Sequence, residues 1–297
     1  MCCLYGLIDI HHLLSAKEKS QIISALAAAA EARGTDATGI AYNSRGHLCI
    51  YKRPWPAHFM RFHIPQDAFA IMGHTRMTTQ GNAKWNYNNH PFPGHTGGHD
   101  FSLAHNGVLY NDDLLREELS LPVPRIETDS YIAVQLLEQK GALDLNSLQF
   151  MAEQVRGSFA FTVLDDADSL YFVKGDNPLC LWHFKSLGIY LYASTEEILG
   201  RALQRLGMQR LRHKIVTLRN GDILQISKDG KLTWGKFQNT SWHRSYWRPY
   251  CFEDNWTHLD MLKSMAALFG YGPEDIDDLH RQGLTSDEIE EYLYCGG

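Results

Sequence analysis

The chain lacks any apolar run long enough to cross a membrane as a helix. Its longest, around residues 22–30, falls far short of the ~20 residues a span requires. It lacks an excess of positive charge as well. With 28 Lys and Arg against 34 Asp and Glu, a net charge of −6, it is not built to neutralise nucleic-acid phosphates. No basic segment precedes an apolar stretch at the start, the first Lys being Lys17, so no signal peptide is read and a cytoplasmic setting is expected. The six cysteines, at 2, 3, 49, 180, 251 and 295, form no CxxC pair and no zinc spacing, so reduced thiols are expected. Neither GxxxxGK[ST] nor a strand-linked GxGxxG occurs, which removes the usual cradles for ATP and dinucleotides. What remains is a chain of 297 residues, 44% hydrophobic, with ample material for a large core.

Charge divides the chain. From Thr240 onward there are eleven acidic and four basic residues, whereas residues 1–239 carry 23 acids and 24 bases. This shift predicts a main unit over 2–240, an aromatic-rich join over 241–256 and an acidic helical tail over 257–297. In the main unit, Cys2–Ile10 reads as a strand, and Ser15-x-x-Glu18 opens a helix that ends by Gly34. Gly39–Tyr42 with His47–Lys52, Ala68–Thr75 and Phe101–Val108 read as strands, while Asn88–Phe92 reads as a polar loop. Thr128-Asp129-Ser130 is placed as the cap of a helix stopping near Gly141, and a second helix covers Ser147–Val155. Four strands follow between Ser158 and Ala193, and the Asn220-Gly221 and Asp229-Gly230 turns predict antiparallel pairing throughout Lys214–Phe237. In the tail, Thr257–Phe269 is a helix by pattern, Pro273 suits the first turn of another, and Thr285-x-x-Glu288 caps a third. Many antiparallel strands with a few amphipathic helices imply two packed sheets flanked by helices.

Chemistry gathers in a few short segments. If Met1 is removed, Cys2 carries a thiol and a free α-amine on one residue, and an amine of pKa ~7.7–8.0 can serve as the thiol's base. The alternative role is a buried strand cysteine; no polybasic segment accompanies Cys2-Cys3 to suggest a lipid anchor. Gly73-His74-Thr75-Arg76-Met77-Thr78-Thr79-Gln80-Gly81 places an Arg just past an apolar strand, where its fork suits a carboxylate. His105-Asn106-Gly107 offers a side-chain amide and a backbone N–H, the two donors of an oxyanion hole. Asp129 suits an ammonium, or simply a helix cap. Arg33-Gly34-Thr35-Asp36-Ala37-Thr38-Gly39 is a tight polar loop, and His74 and His105 are expected to pack or hydrogen-bond rather than catalyse. His90, His95 and His99 lack a helix or acidic partner to align them, so no metal is expected.

At these residues the sequence resembles the class II glutamine amidotransferases, a family of N-terminal-nucleophile hydrolases. A Cys after Met, an RGxDxxG loop, GHTRxxTxG, NxHPF, HNG and a TDS triplet occur here in the family's order across about residues 2–240. Cys3 stands where many members carry Gly, Met77 where an aromatic is common, and Gln80 where a His is frequent. The resemblance implies an α+β fold, the four-layer αββα sandwich, and release of ammonia from glutamine without a cofactor. It assigns Cys2 as the nucleophile, Asn106 and Gly107 as the oxyanion hole, Arg76 and Thr79 to the substrate carboxylate and Asp129 to its α-amine. Arg33, Asp36, His74 and His105 take supporting positions. Members usually pass ammonia to a fused synthase; the ~57 residues after the main unit are too few for a catalytic domain. A separate synthase subunit is therefore the expected partner. The alternatives are a free-standing amidohydrolase of small amides and a non-catalytic subunit that keeps the fold. The tail either covers apolar surface or docks a basic partner through its charge.

Overall fold

The structure, a computed structural model, describes residues 2–238, 259, 262, 263, 266 and 271–295. The expected join over 241–256, and most of the helix read over Thr257–Phe269, lie outside the described residues.

Two antiparallel sheets form the body. The first has seven strands in the order β11 (Lys214–Val216), β9 (Cys180–Phe184), β10 (Ile189–Ala193), β1 (Cys3–Asp9), β4 (Ala70–Arg76), β2 (Ala37–Ser44) and β3 (His47–Arg53). The second has six, β13 (Leu232–Lys236), β12 (Asp222–Ile226), β8 (Leu170–Lys174), β7 (Gly157–Asp165), β6 (His99–Leu109) and β5 (Phe92–Thr96). Helices α1 (Ala16–Ala30) and α5 (Glu196–Arg205) cover the outer face of the first sheet, and α2 (Asp112–Glu118), α3 (Tyr131–Lys140) and α4 (Leu145–Gln154) flank the second.

The strand pleat explains the layering. Along β1, Cys3, Tyr5 and Leu7 pack toward α1, while Leu4 and Ile8 turn to the other sheet. Leu4 and Ile8 meet Met72 and Phe69 beside the first sheet, and Ala104, Ala160, Phe172 and Leu224 from the second complete a central core. A strand buried on both faces has no polar alternation, which is why β1 reads as one apolar run. Three cores between four layers make the αββα sandwich that the resemblance implies. The capping box expected at Ser15 is present, with Glu18 N–H donating to Ser15 Oγ and Ser15 N–H to Glu18 Oε2. Beneath α1, the fully buried Lys19 ammonium pairs with Asp9 at 3.1 Å and donates to the Gln66 and Ala68 carbonyls.

Several local expectations are corrected. Lys214–Phe237 is not one antiparallel unit: β11 pairs with β9 in the first sheet, whereas β12 pairs with β8 and β13 in the second. The Asn220-Gly221 turn carries the chain between sheets because the preceding Leu218 is drawn into the central core. Only Asp229-Gly230 closes a hairpin, with the Gly230 N–H donating to the Ser227 carbonyl. Phe92, read as the end of a polar loop, instead opens edge strand β5, a position that tolerates Pro93. Helix α5, capped by Thr195, and the short α2 were not expected from the sequence.

In the tail, Pro273 opens α6 (Pro273–Arg281), and Thr285 and Glu288 form the expected reciprocal cap of α7 (Ser286–Cys295). Leu262, Ala266, Ile276, Ile289 and Leu293 form their own small cluster. Among the described residues, no helix is long and apolar enough to cross a membrane.

Candidate active site

Cys2 lies one residue before β1, and β4 runs alongside so that Cys3 faces Thr75. Cys2 is 9% exposed, and its thiol donates to the Met77 carbonyl at 3.5 Å. Burial pushes its pKa up, opposed by the positive charge at the chain start, by that hydrogen bond and by Arg76, while Asp129 adds to the rise. These influences place Cys2, Arg76 and Asp129 within electrostatic reach, although the three are far apart in sequence.

The Arg33–Asp36 loop ties these parts together. Arg33 Nε donates to the Cys2 carbonyl at 3.3 Å. The Asp36 N–H donates to the Arg76 carbonyl at 2.9 Å, and its carboxylate accepts from the Thr78 N–H at 2.7 Å. Gly34 is required by this closeness, because a β-carbon there would sit 2.6 Å from the Arg76 carbonyl carbon. One loop thus fixes the end of β1, the end of β4 and the segment after β4.

Arg76 is buried, and its fork is already partly engaged. Nη1 donates to Asn89 Oδ1 at 2.7 Å, and Nη2 to the Gln80 and Gly81 carbonyls at 2.5 and 3.2 Å. The guanidinium has five N–H groups, so donors remain beyond these three bonds. Asn89 is itself held by donation to the Ala83 carbonyl. Neighbouring Asn88 donates to Glu127 at 2.8 Å and accepts from the Glu127 N–H. The 82–89 segment therefore links Arg76 to the turn that carries Asp129. Thr79 stands exposed on the same loop, while Thr78 makes the bond to Asp36.

Asp129 does not cap α3. That helix begins without a side-chain cap, and Asp129 turns back to accept the Leu109 N–H at 2.6 Å and the Ser130 hydroxyl at 3.2 Å. Burial pushes its carboxyl up, against those hydrogen bonds and Arg76. Ser130 Oγ lies 2.8 Å from His105 Nδ1. The shortest contacts are satisfied when His105 Nδ1–H donates to Ser130 and Ser130 to Asp129, a tautomer assigned from the network. Burial holds His105 at about 3 and His74 at about 3, so both rings are neutral. His74 Nε2 sits 2.9 Å from the His105 carbonyl, bridging β4 and β6 between the sheets. Both histidines make hydrogen bonds that link neighbouring segments.

At Asn106-Gly107 the chain is held from both sides. The Asn106 carbonyl accepts from Asn177 Nδ2 at 2.7 Å. A trans peptide directs its N–H opposite to its C=O, so the Gly107 N–H points away from Asn177. Gly107 has φ of +141°, and a β-carbon would lie 1.9 Å from the Ser158 carbonyl oxygen. Asn106 Nδ2 reaches Ser194 Oγ at 3.3 Å, and the same hydroxyl accepts the Leu4 N–H at 2.9 Å. Ser194 thereby joins the Cys2 strand to the Asn106 strand.

Sequence reasoning missed Ser194, Asn177 and Lys52. Ser194 and Asn177 follow strands without forming any motif. Lys52 donates to the Asn89 and Pro91 carbonyls at 2.5 and 2.9 Å, and burial lowers it to about 8. It also missed Glu290, a tail residue paired with Arg33. His90, His95 and His99 do not converge: His90 packs on the His74 ring, whereas His95 and His99 face Asp100 and Asp166. Among the described residues no group of three His, Cys, Asp or Glu is placed to hold a metal ion.

Comparison with known proteins bears on the family and the fold. Residues 74–200 match the family described as a glutamine amidotransferase domain. The glutamine–fructose-6-phosphate aminotransferase of Listeria innocua is 27% identical over 208 residues, covering 67% of this chain and 32% of that protein. That of Bacillus thuringiensis subsp. konkukian is 31% identical over 157 residues, covering 50% and 26%. The chain spans about a third or less of the length of these curated relatives. A glutamine phosphoribosylpyrophosphate amidotransferase from B. subtilis shares the fold, with a TM-score of 0.63 at 19% identity over 80% of this chain and 49% of that one. Residues 74–200 thus match a glutamine amidotransferase domain, and the motifs and the αββα layers resemble those of class II, the N-terminal-nucleophile type.

Proposed function

We propose that residues 2–240 hydrolyse the side-chain amide of glutamine, with Cys2 as nucleophile, and that the ammonia passes to an acceptor synthase. One observation carries this reading: the Cys2 thiol donates to the carbonyl of Met77, next to Arg76, Asp129 accepts the Leu109 N–H two residues beyond Gly107, and Ser194 ties the Cys2 strand to Asn106, so three distant parts of the chain meet at one corner. The free donors of Arg76 take the substrate α-carboxylate, and the unused lone pairs of Asp129 take its α-ammonium. That places the side-chain amide toward Cys2.

The first step is removal of Met1, which leaves the α-amine on Cys2. This amine accepts the thiol proton, and Sγ attacks the amide carbon. The tetrahedral oxyanion is stabilised by Asn106 Nδ2 and the Gly107 N–H. The C–N bond then breaks, ammonia leaves with a proton from the Cys2 amine, and a γ-glutamyl thioester remains. Water, deprotonated by the same amine, attacks the thioester, giving glutamate and the free thiol. Desolvation disfavours a standing thiolate, so a base on the nucleophile's own residue suits this site.

Ammonia release from glutamine by the purified chain tests the proposal. Intact mass should show the active protein beginning at Cys2. Cys2→Ser should nearly abolish turnover while leaving the melting temperature unchanged, because a hydroxyl is a far weaker nucleophile than a thiolate. Full activity in Cys2→Ser, or in protein that retains Met1, would overturn it.

A further inference from the structure

The mechanism above uses the thiol and amine of Cys2 and leaves its carbonyl to Arg33. The Arg33 guanidinium is also gripped from the opposite end of the chain. Nη1 lies 2.6 Å from Glu290 Oε2, and Nη2 donates to Glu290 Oε1 at 2.8 Å. Arg33 is 4% exposed and Glu290 2%. Glu290 stands on α7, 257 residues from Arg33, directly after Ile289 of the small tail cluster. Glu274, Asp275, Asp278 and Glu288 of the tail are exposed, but Glu290 is buried against Arg33 of the main unit.

A two-point carboxylate–guanidinium contact fixes the plane of the guanidinium as well as its position. With both Nη atoms committed, Nε is aimed at the Cys2 carbonyl. That carbonyl belongs to the residue bearing the thiol and amine, so its anchorage limits rotation of the nucleophile at its free end.

We propose that Glu290 is a positioning residue for the Cys2 nucleophile, and that tail helix α7 completes the active site by holding Arg33 on the Cys2 carbonyl. The proposal rests on the reading of Cys2 as the nucleophile. Loss of the carboxylate loosens Arg33 and with it the Cys2 backbone. Arg76 and Asp129 are carried by β4 and by the turn before α3, so substrate capture persists while attack geometry degrades. A loosened Cys2 is also more open to water, and its thiol reacts faster with a small alkylating reagent. Positioning thus predicts a pair of opposite changes: slower catalysis and faster alkylation.

The experiment compares full-length wild type with Glu290→Ala and Glu290→Gln, each assayed well below its own melting temperature. Glutamine turnover gives kcat and KM, and iodoacetamide labelling of Cys2, read by peptide mass, gives thiol accessibility. Glu290→Ala should lower kcat roughly 10- to 100-fold with KM within about twofold, and label Cys2 several times faster. Glu290→Gln, which keeps one acceptor for Arg33, should fall between. If Glu290→Ala is unfolded at the assay temperature, the Gln variant carries the comparison. Unchanged kcat and labelling with a lower melting temperature would make α7 a mere cap and overturn the proposal. A rise in KM alone would overturn it too, by assigning Glu290 to substrate capture. Should wild type release no ammonia, the proposed function fails, and the labelling comparison still decides whether Glu290 holds Cys2.

Discussion

Gly107→Ala perturbs the site at its tightest point. The added methyl would meet the Ser158 carbonyl oxygen at 1.9 Å and Asn177 Nδ2 at 2.5 Å. Neither neighbour is free to retreat: Ser158 is in the β6–β7 ladder opposite Val108, and Asn177 is bonded to the Asn106 carbonyl. A side chain at φ of +141° adds backbone strain of about 1–3 kcal/mol. Displacing Asn177 leaves buried polar groups unpaired, for about 1–3 kcal/mol more. The sum, about 2–6 kcal/mol, corresponds to a melting temperature roughly 4–24 °C lower for a unit of this size. Any shift that relieves the clash also rotates the Asn106–Gly107 peptide, whose N–H is the proposed oxyanion donor. Turnover of the folded fraction should therefore fall by ~10²–10³. Thermal melts and steady-state ammonia release measure the two effects separately. Asn177→Leu removes the same hydrogen bond without the clash, so its destabilisation should be confined to about 1–3 kcal/mol. A Gly107→Ala protein that melts within a degree of wild type and hydrolyses glutamine at the parent rate would refute this account of the corner.

Three further outcomes are expected. His105 titrates at about 3 in the folded protein against ~6.5 when unfolded, so the unfolded chain binds more protons and stability is lost as pH falls from 6.5 toward 3. The contribution is about 1.4 kcal/mol per pH unit; His105→Gln, which can still donate to Ser130, should flatten the pH slope of guanidinium unfolding between pH 6 and 5 by that amount, and an unchanged slope would contradict a neutral buried ring. Arg76→Lys exchanges a fork for a point charge and releases Asn89 or the Gln80 and Gly81 carbonyls, so KM for glutamine should rise roughly 10- to 1,000-fold; normal KM would make Arg76 purely structural. Ser194→Ala strips a shared acceptor from the Leu4 N–H and Asn106 Nδ2, and should cost about 1–3 kcal/mol in denaturant titrations together with a loss of kcat; stability equal to wild type would show that the two strands are not joined there.

Much of this protein was legible in its sequence because the signals are local. The pleat and the apolar runs announced β1, β4, β6 and β7; the Ser15 and Thr285 boxes announced helix starts; Gly141 announced a stop. The resemblance carried the layer order, since RGxDxxG, GHTR and HNG each mark a strand end or loop whose backbone must approach another. Where a short segment had two uses, the sequence could not choose. Asn220-Gly221 permits a hairpin, yet burial of Leu218 makes it a crossing between sheets. Asp129 suits a helix cap, but the Leu109 N–H, freed by the alternation of β6, claims its carboxylate. Tertiary structure alone brought Ser194 between Leu4 and Asn106, Asn177 under Gly107 and Glu290 onto Arg33. Such pairs span 71 to 257 residues and leave no periodicity, because a hydrogen bond depends on where two strands end in space. Sequence determined which groups could do the chemistry; packing of the two sheets decided which of them meet.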